Sequence, residues 1–111
     1  MQFLFNSKGQ HVANLVNHQL HSPDGHNIGH LSVQEGVFID LNGRYLGEIV
    51  LNNRLLYNSI SPFKTSSFAV KGNYGNAGSF GNPGSFGSIG MLGGYQDIEA
   101  GWLSSSSSKT V

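Results

Sequence analysis

This sequence predicts an all-β fold, a meander of short β-hairpin repeats joined to an extended glycine-rich segment. Three observations predict it. Turn chemistry recurs every eight or nine residues between residues 1 and 58. A glycine-centred motif repeats with spacings of 16 and then 18 residues. Eight glycines stand at every third position from Gly72 to Gly93. No stretch carries a sustained helical period bounded by caps.

The repeat aligns on glycine. Its copies run Asn6 to Ala13, Ser22 to Gly29 and Asp40 to Gly47, centred on Gly9, Gly25 and Gly43. Each reads as a small polar residue, two residues, Gly, two residues, an aliphatic, then Gly or Ala. Asn58 opens a fourth copy, but Ser61 sits where the glycine belongs, and the repeat breaks off. Ser-Lys-Gly, Pro-Asp-Gly and Leu-Asn-Gly are turns in which Gly supplies a positive φ. Asn6, Ser22, Asp40 and Asn58 share one position, where a short polar side chain hydrogen-bonds the turn backbone.

β-prone runs flank these turns. Phe3–Phe5, Val37–Ile39 and Leu55–Tyr57 precede them; Val12–Val16, Ile28–Val33 and Tyr45–Leu51 follow. Second turns fall at Asn17-His18, Gln34-Glu35-Gly36 and Asn52-Asn53. Seven short strands are expected, and units this small bury an apolar face only by packing against neighbouring units.

The triplet tract fits neither a strand nor an α-helix. It fits a polyproline II helix, with three residues per turn and no internal hydrogen bonds. On that helix one face is glycine, one is mostly polar or small, and one is apolar (Tyr74, Ala77, Phe80, Pro83, Phe86, Ile89, Leu92, Tyr95). Collagen-like assembly is disfavoured, because Pro83 is the single proline of the tract. The apolar stripe is expected to dock on the core and the glycine face to meet another backbone closely. Phe80, Phe86 and Leu92 are therefore expected to be buried more than Ser79, Ser85 and Ser88, with Gly81 and Gly87 intolerant of a side chain. Fully extended, the tract reaches roughly 75 Å, against a radius of gyration near ~13 Å for a domain of this size. Asn82-Pro83-Gly84-Ser85 is turn chemistry at which the tract is expected to fold back, the alternative being that Pro83 belongs to the helix and the tract extends along an oligomer.

The repeat spacing, followed by the triplet tract and Gly93-Gly-Tyr-Gln-Asp-Ile98, resembles the four-fold β-flower proteins, a family of small bacterial proteins. The resemblance covers residues 1 to 98. It implies four hairpin petals around a pseudo-fourfold axis and carries over no catalytic residues. The degraded fourth copy departs from the pattern, and Phe63 to Lys71 would have to complete that petal. The glycine pattern of MORN-type hairpin repeats is not met.

At 111 residues the chain is read as one domain over 1–98, with hairpin repeats over 1–63 and the last petal and triplet segment over 64–98. Residues 99–111, with five consecutive serines, are expected to form a disordered tail. Six acidic and six basic side chains leave no electrostatic footprint for nucleic acid or anionic membrane. Low charge in a β protein favours self-association into a closed homo-oligomer. Cysteine is absent, which excludes a disulfide framework. No signal peptide or transmembrane segment is recognised, so the default expectation is the cytoplasm.

Five histidines fall within twenty residues: His11, His18, His21, His26 and His30. A zinc site needs three or four ligands at fixed geometry. These belong to different hairpins, and the repeat frame puts His30 where Asn14 and Glu48 stand, a solvent-facing position by pattern. They read as surface histidines. Asp97 and Glu99 are an acidic pair close in sequence but have no cleft assigned to them. No G-x-S-x-G elbow and no strand–loop–helix phosphate motif occurs. Phe63, Phe68, Tyr74, Phe80, Phe86, Tyr95 and Trp102 are expected to pack on the petals rather than to stack on sugars or bases. No catalytic, cofactor-binding or metal-ligating residue is nominated, and no cofactor is expected. The expected function is a self-associating structural or interaction module, the alternative a carbohydrate- or peptide-binding protein using hairpin tips or a sheet edge.

Overall fold

The structure, a computed structural model, describes residues 1–68, 83–90 and 93–98. Among these it is all-β, with no helix. The strands are β1 (Gln2–Phe5), β2 (His11–Val16), β3 (Gln19–His21), β4 (Asn27–Ser32), β5 (Val37–Asp40), β6 (Tyr45–Val50), β7 (Arg54–Asn58) and β8 (Tyr95–Asp97). They pair in chain order, each antiparallel to the next. β1 also meets β7 in parallel at Phe5 and Arg54, where the Phe5 amide donates to Asn53 O at 2.8 Å. That contact closes the meander into a barrel-like ring with a radius of gyration of 13.0 Å.

The repeat motif encodes a recurrent β-bulge. Leu4 faces Ala13 while Phe5 faces His11, leaving Val12 as the extra residue. In the second hairpin Leu20 faces Gly29 and His21 faces Asn27, so Ile28 is extra. In the third, Phe38 faces Gly47 and Ile39 faces Tyr45, so Leu46 is extra. The aliphatic of the motif is the bulged residue each time. Bulges add local twist and bend a strand, which suits a ring built from very short strands.

The core is radial. Leu4, Ala13, Leu20, Ile28, Phe38, Leu46 and Leu55 come one from each of β1 to β7, and Ile98 follows β8. The small residue after the bulge is required by the next strand. A Cβ on Gly29 would overlap the Ile39 carbonyl, and one on Gly47 would stand 2.8 Å from both Leu56 O and Ile98 Cδ1.

The outer turns follow the sequence reading. Gly9, Gly25 and Gly43 have φ of +86°, +94° and +84°. Asn6 Oδ1 accepts from the Lys8 and Gln10 amides at 3.0 and 2.9 Å. Asp40 Oδ1 accepts from those of Asn42 and Arg44, both at 2.9 Å. Ser22 Oγ accepts from His26 N at 3.1 Å, and Asn58 Oδ1 from Ile60 N at 3.1 Å. Asn17 and His18 form a two-residue turn with φ of +50° and +67°, the geometry that matches strand twist. The last inner turn begins at Leu51 rather than Asn52, and β6 ends one residue early.

The fourth petal differs from the expectation. Of the stretch Phe63 to Lys71, residues 69–71 lie outside the described residues, and the described part does not pair with β7: Ser67 bridges Arg44 on the third hairpin. The return strand is β8, which pairs Leu56, Tyr57 and Asn58 with Asp97, Gln96 and Tyr95 and carries no bulge. The reason lies at Ser61. Ser61 N still donates to Asn58 O at 3.1 Å, as Gly9 does to Asn6. Positive φ among described non-glycine residues, however, is confined to Asn17, His18, Leu51 and Asn52, so Ser61 lacks the left-handed conformation of its glycine counterparts.

Candidate functional site

The outer turns of hairpins one and three receive extended backbone from later in the chain. At the first, Phe86 N donates to Gly9 O at 3.0 Å and Ile89 N to Ser7 O at 2.8 Å. At the third, Phe68 N donates to Gly43 O at 2.8 Å. Both turn glycines lack a Cβ for the same reason. A side chain on Gly9 would overlap the Phe86 carbonyl, and one on Gly43 the Phe68 carbonyl.

Arg54 makes the first of these sites a clamp. It is 6 % exposed, held at the ring closure where β7 meets β1. Its Nη1 donates to Asn6 O at 3.0 Å and its Nη2 to Gly87 O at 2.7 Å. One guanidinium thereby ties the turn to the segment lying on it, which its fixed fork of donors permits. Its Cζ also stands 5.8 Å from the Phe86 ring centroid, within cation–π range. The Phe86 ring lies 4.4 Å from that of Phe5, centroid to centroid. Asp97 secures the turn from the other side, accepting from Ser7 N and Ser7 Oγ, both at 2.7 Å.

The tract's role is partly inverted relative to expectation. Phe86 docks on the first hairpin yet stays 50 % exposed, with Ser85 and Ser88 also exposed. A Cβ on Gly87, Gly90 or Gly93 meets nothing within 4 Å. The close backbone approach is real, but the glycine that permits it belongs to the turn. Gly84 has φ of +81°, matching the third position of the expected turn and interrupting any polyproline II helix at that residue. Tyr74, Ala77, Ser79, Phe80, Gly81, Asn82 and Leu92 lie outside the described residues, as do Glu99, Trp102 and the rest of the serine-rich tail.

The histidines are not all on the surface. His21 and His30 are each 5 % exposed. His30 is buried along with Asn14, because the motif's polar position faces covered space rather than solvent. His11 Nε2 lies 2.8 Å from Asn14 Oδ1, His21 Nδ1 3.3 Å from Gly25 O, and His26 Nδ1 3.0 Å from Asp24. The Ser22 hydroxyl and then His26 hold the Asp24 carboxyl below its ordinary value. Among the described residues no three His, Asp or Glu side chains gather as a metal site.

A cleft of about 280 Å³ lies beside the third turn, lined by Asp40, Asn42, Arg44, Tyr45, Tyr57 and Lys64 among others. The Tyr45 and Tyr57 rings are 5.4 Å apart. Tyr45 Oη donates to Glu48 at 2.6 Å and accepts from Asn58 N at 3.1 Å. Burial first, then the Glu48 carboxylate, raise the Tyr45 hydroxyl well above its ordinary value.

Sequence reasoning nominated Phe86 and Phe68 as packing aromatics but missed Arg54, Ser7 and Asp97 as a connected set. Nothing local marks them, since 90 residues separate Ser7 from Asp97 and ring closure alone unites them. No helix among the described residues is long and apolar enough to cross a membrane. No family model, curated protein or solved structure matches the chain.

Proposed function

We propose that this chain is a structural interaction module of the four-fold β-flower kind, which grips extended polypeptide on its outer turns and self-associates. One observation carries the reading: two glycine turns, Gly9 and Gly43, each accept a backbone hydrogen bond from a phenylalanine in a later segment. Backbone capture of this type fixes an extended chain with little demand on its side chains. A cleft of about 580 Å³ along β1 supports self-association; it is lined by Met1, Gln2, Phe3, Phe5, Asn53, Pro83 and Phe86, with no acidic or basic side chain. Met1 is 66 % exposed and Phe86 50 %, so apolar side chains at this cleft are open to contact with a second copy. Sedimentation equilibrium of the purified full chain tests the reading. A dimer or larger closed assembly is expected, and a monomer at every concentration would sink it.

A second reading, carbohydrate binding, is favoured by the cleft at the third turn, where two tyrosines stand beside Asp40, Asn42 and Arg44. Amide shifts at Asn42 and Arg44 on titration with neutral oligosaccharides would support it, and unchanged spectra would remove it.

A further inference from the structure

We infer that the clamp at the first turn is an exchangeable receptor for a Gly-Ser-Phe-Gly segment, and that its occupant in trans is the same tetrapeptide of a second copy. The inference rests on the self-association reading and names its site and ligand. What the clamp reads is simple. Phe86 offers its amide to Gly9 and its ring to Phe5 and Arg54, Gly87 offers its carbonyl to Arg54, and Ile89 offers its amide to Ser7. One aromatic side chain on an extended backbone supplies nearly all of this. Glycine ahead of it is needed as well, because Gly84 sits at φ +81°.

The ligand is written in the sequence. Gly-Ser-Phe-Gly occurs twice, at 78–81 and at 84–87, so each copy carries more of this tetrapeptide than one clamp holds. The resident segment is lightly held, with Ser85, Gly87 and Ser88 exposed and half of Phe86 open to solvent. The clamp presents a buried guanidinium and turn carbonyls, which pair with the carbonyls and amides of an extended backbone. The apolar cleft beside Phe86 continues the same surface toward Met1 and Phe3. A tethered segment competes at an effective concentration on the order of mM, so exchange between copies should appear as protein concentration approaches that range.

The test uses the full chain and a synthetic peptide, Pro-Gly-Ser-Phe-Gly-Ser-Ile-Gly, matching residues 83–90. In a ¹⁵N-labelled Phe86→Ala variant, where the resident segment has lost its ring, the peptide should shift the Ser7 and Gly9 amides saturably. A peptide with Ala in place of Phe should leave them unmoved. In the unaltered protein, the same peptide in excess should lower the dimer fraction seen by sedimentation. No shift at Ser7 or Gly9, or equal shifts from both peptides, overturns the receptor. A dimer indifferent to the peptide overturns the inference while leaving self-association standing. A protein that stays monomeric removes the second copy as occupant and the self-association reading with it.

Discussion

Gly9 and Phe86 stand in backbone contact across 77 residues of sequence, the Phe86 amide 3.0 Å from the Gly9 carbonyl oxygen and the Phe86 carbonyl filling the space a Cβ on Gly9 would need. Gly36 is the control, since it also has positive φ (+75°) but open space around it. Alanine at either position meets the left-handed backbone penalty of about 1–2 kcal/mol. Only Gly9→Ala must also displace the docked segment. Urea unfolding should show Gly9→Ala less stable than Gly36→Ala by about 2 kcal/mol, and equal losses would mean the segment contributes nothing.

Arg54 links that contact to the ring closure. Substituting Met keeps the length of the side chain but strands the Asn6 and Gly87 carbonyls. Hydrogen bonds to a charged donor contribute about 1.5–3 kcal/mol, so Arg54→Met should cost about 2–4 kcal/mol in chemical denaturation. Lysine should rescue little, because one ammonium does not span both carbonyls with the guanidinium's geometry. A Lys variant as stable as the parent would refute the two-carbonyl role.

Much of the fold was legible because its signals are local. Gly9, Gly25 and Gly43 declare positive-φ turns, and Asn6, Ser22 and Asp40 declare the side chain that caps each one. The bulges were present in the letters too, as Val12, Ile28 and Leu46, but the register that makes them bulges is a pairing fact and invisible in one strand. The fourth petal was misread because β8 joins β7 across a long stretch of chain, and nothing near Leu56 announces Asp97. Burial of Asn14 and His30 was missed for a related reason: alternation assigns a face, and only the packed ring says what covers it. The clamp was the least legible part. Arg54 looks like any basic residue at the start of a strand until closure brings it beside Asn6 and Gly87.

Leu51 carries a strain that the sequence does not need. It is 58 % exposed with φ of +51°, a conformation costly for a residue with a branched side chain. Asn17, its counterpart in the first inner turn, takes the same region at φ +50°. Leu51→Asn should therefore raise stability by about 0.5–1 kcal/mol, since the left-handed conformation costs an ordinary residue about 1–2 kcal/mol and Asn tolerates it better. A thermal midpoint unchanged or lowered would place the turn in a different conformation in solution.

Tyr45 sets an alkaline limit on stability. Its hydroxyl is held well above the ordinary value of 10.0 by burial and by Glu48, which accepts its hydrogen bond at 2.6 Å. Below pH 10 both folded and unfolded chains keep that proton, so the shift contributes no pH dependence there. Above it the unfolded chain releases the proton while the folded chain retains it, and stability falls as pH rises. The slope from one such group approaches about 1.4 kcal/mol per pH unit. Tyr45→Phe removes the titrating group at the cost of the Asn58 amide's acceptor, about 1 kcal/mol at neutral pH. Urea midpoints followed from pH 9 to 12 should then decline less steeply in the Phe variant than in the parent. Parallel slopes would mean that Tyr45 ionises in the folded ring as readily as in water.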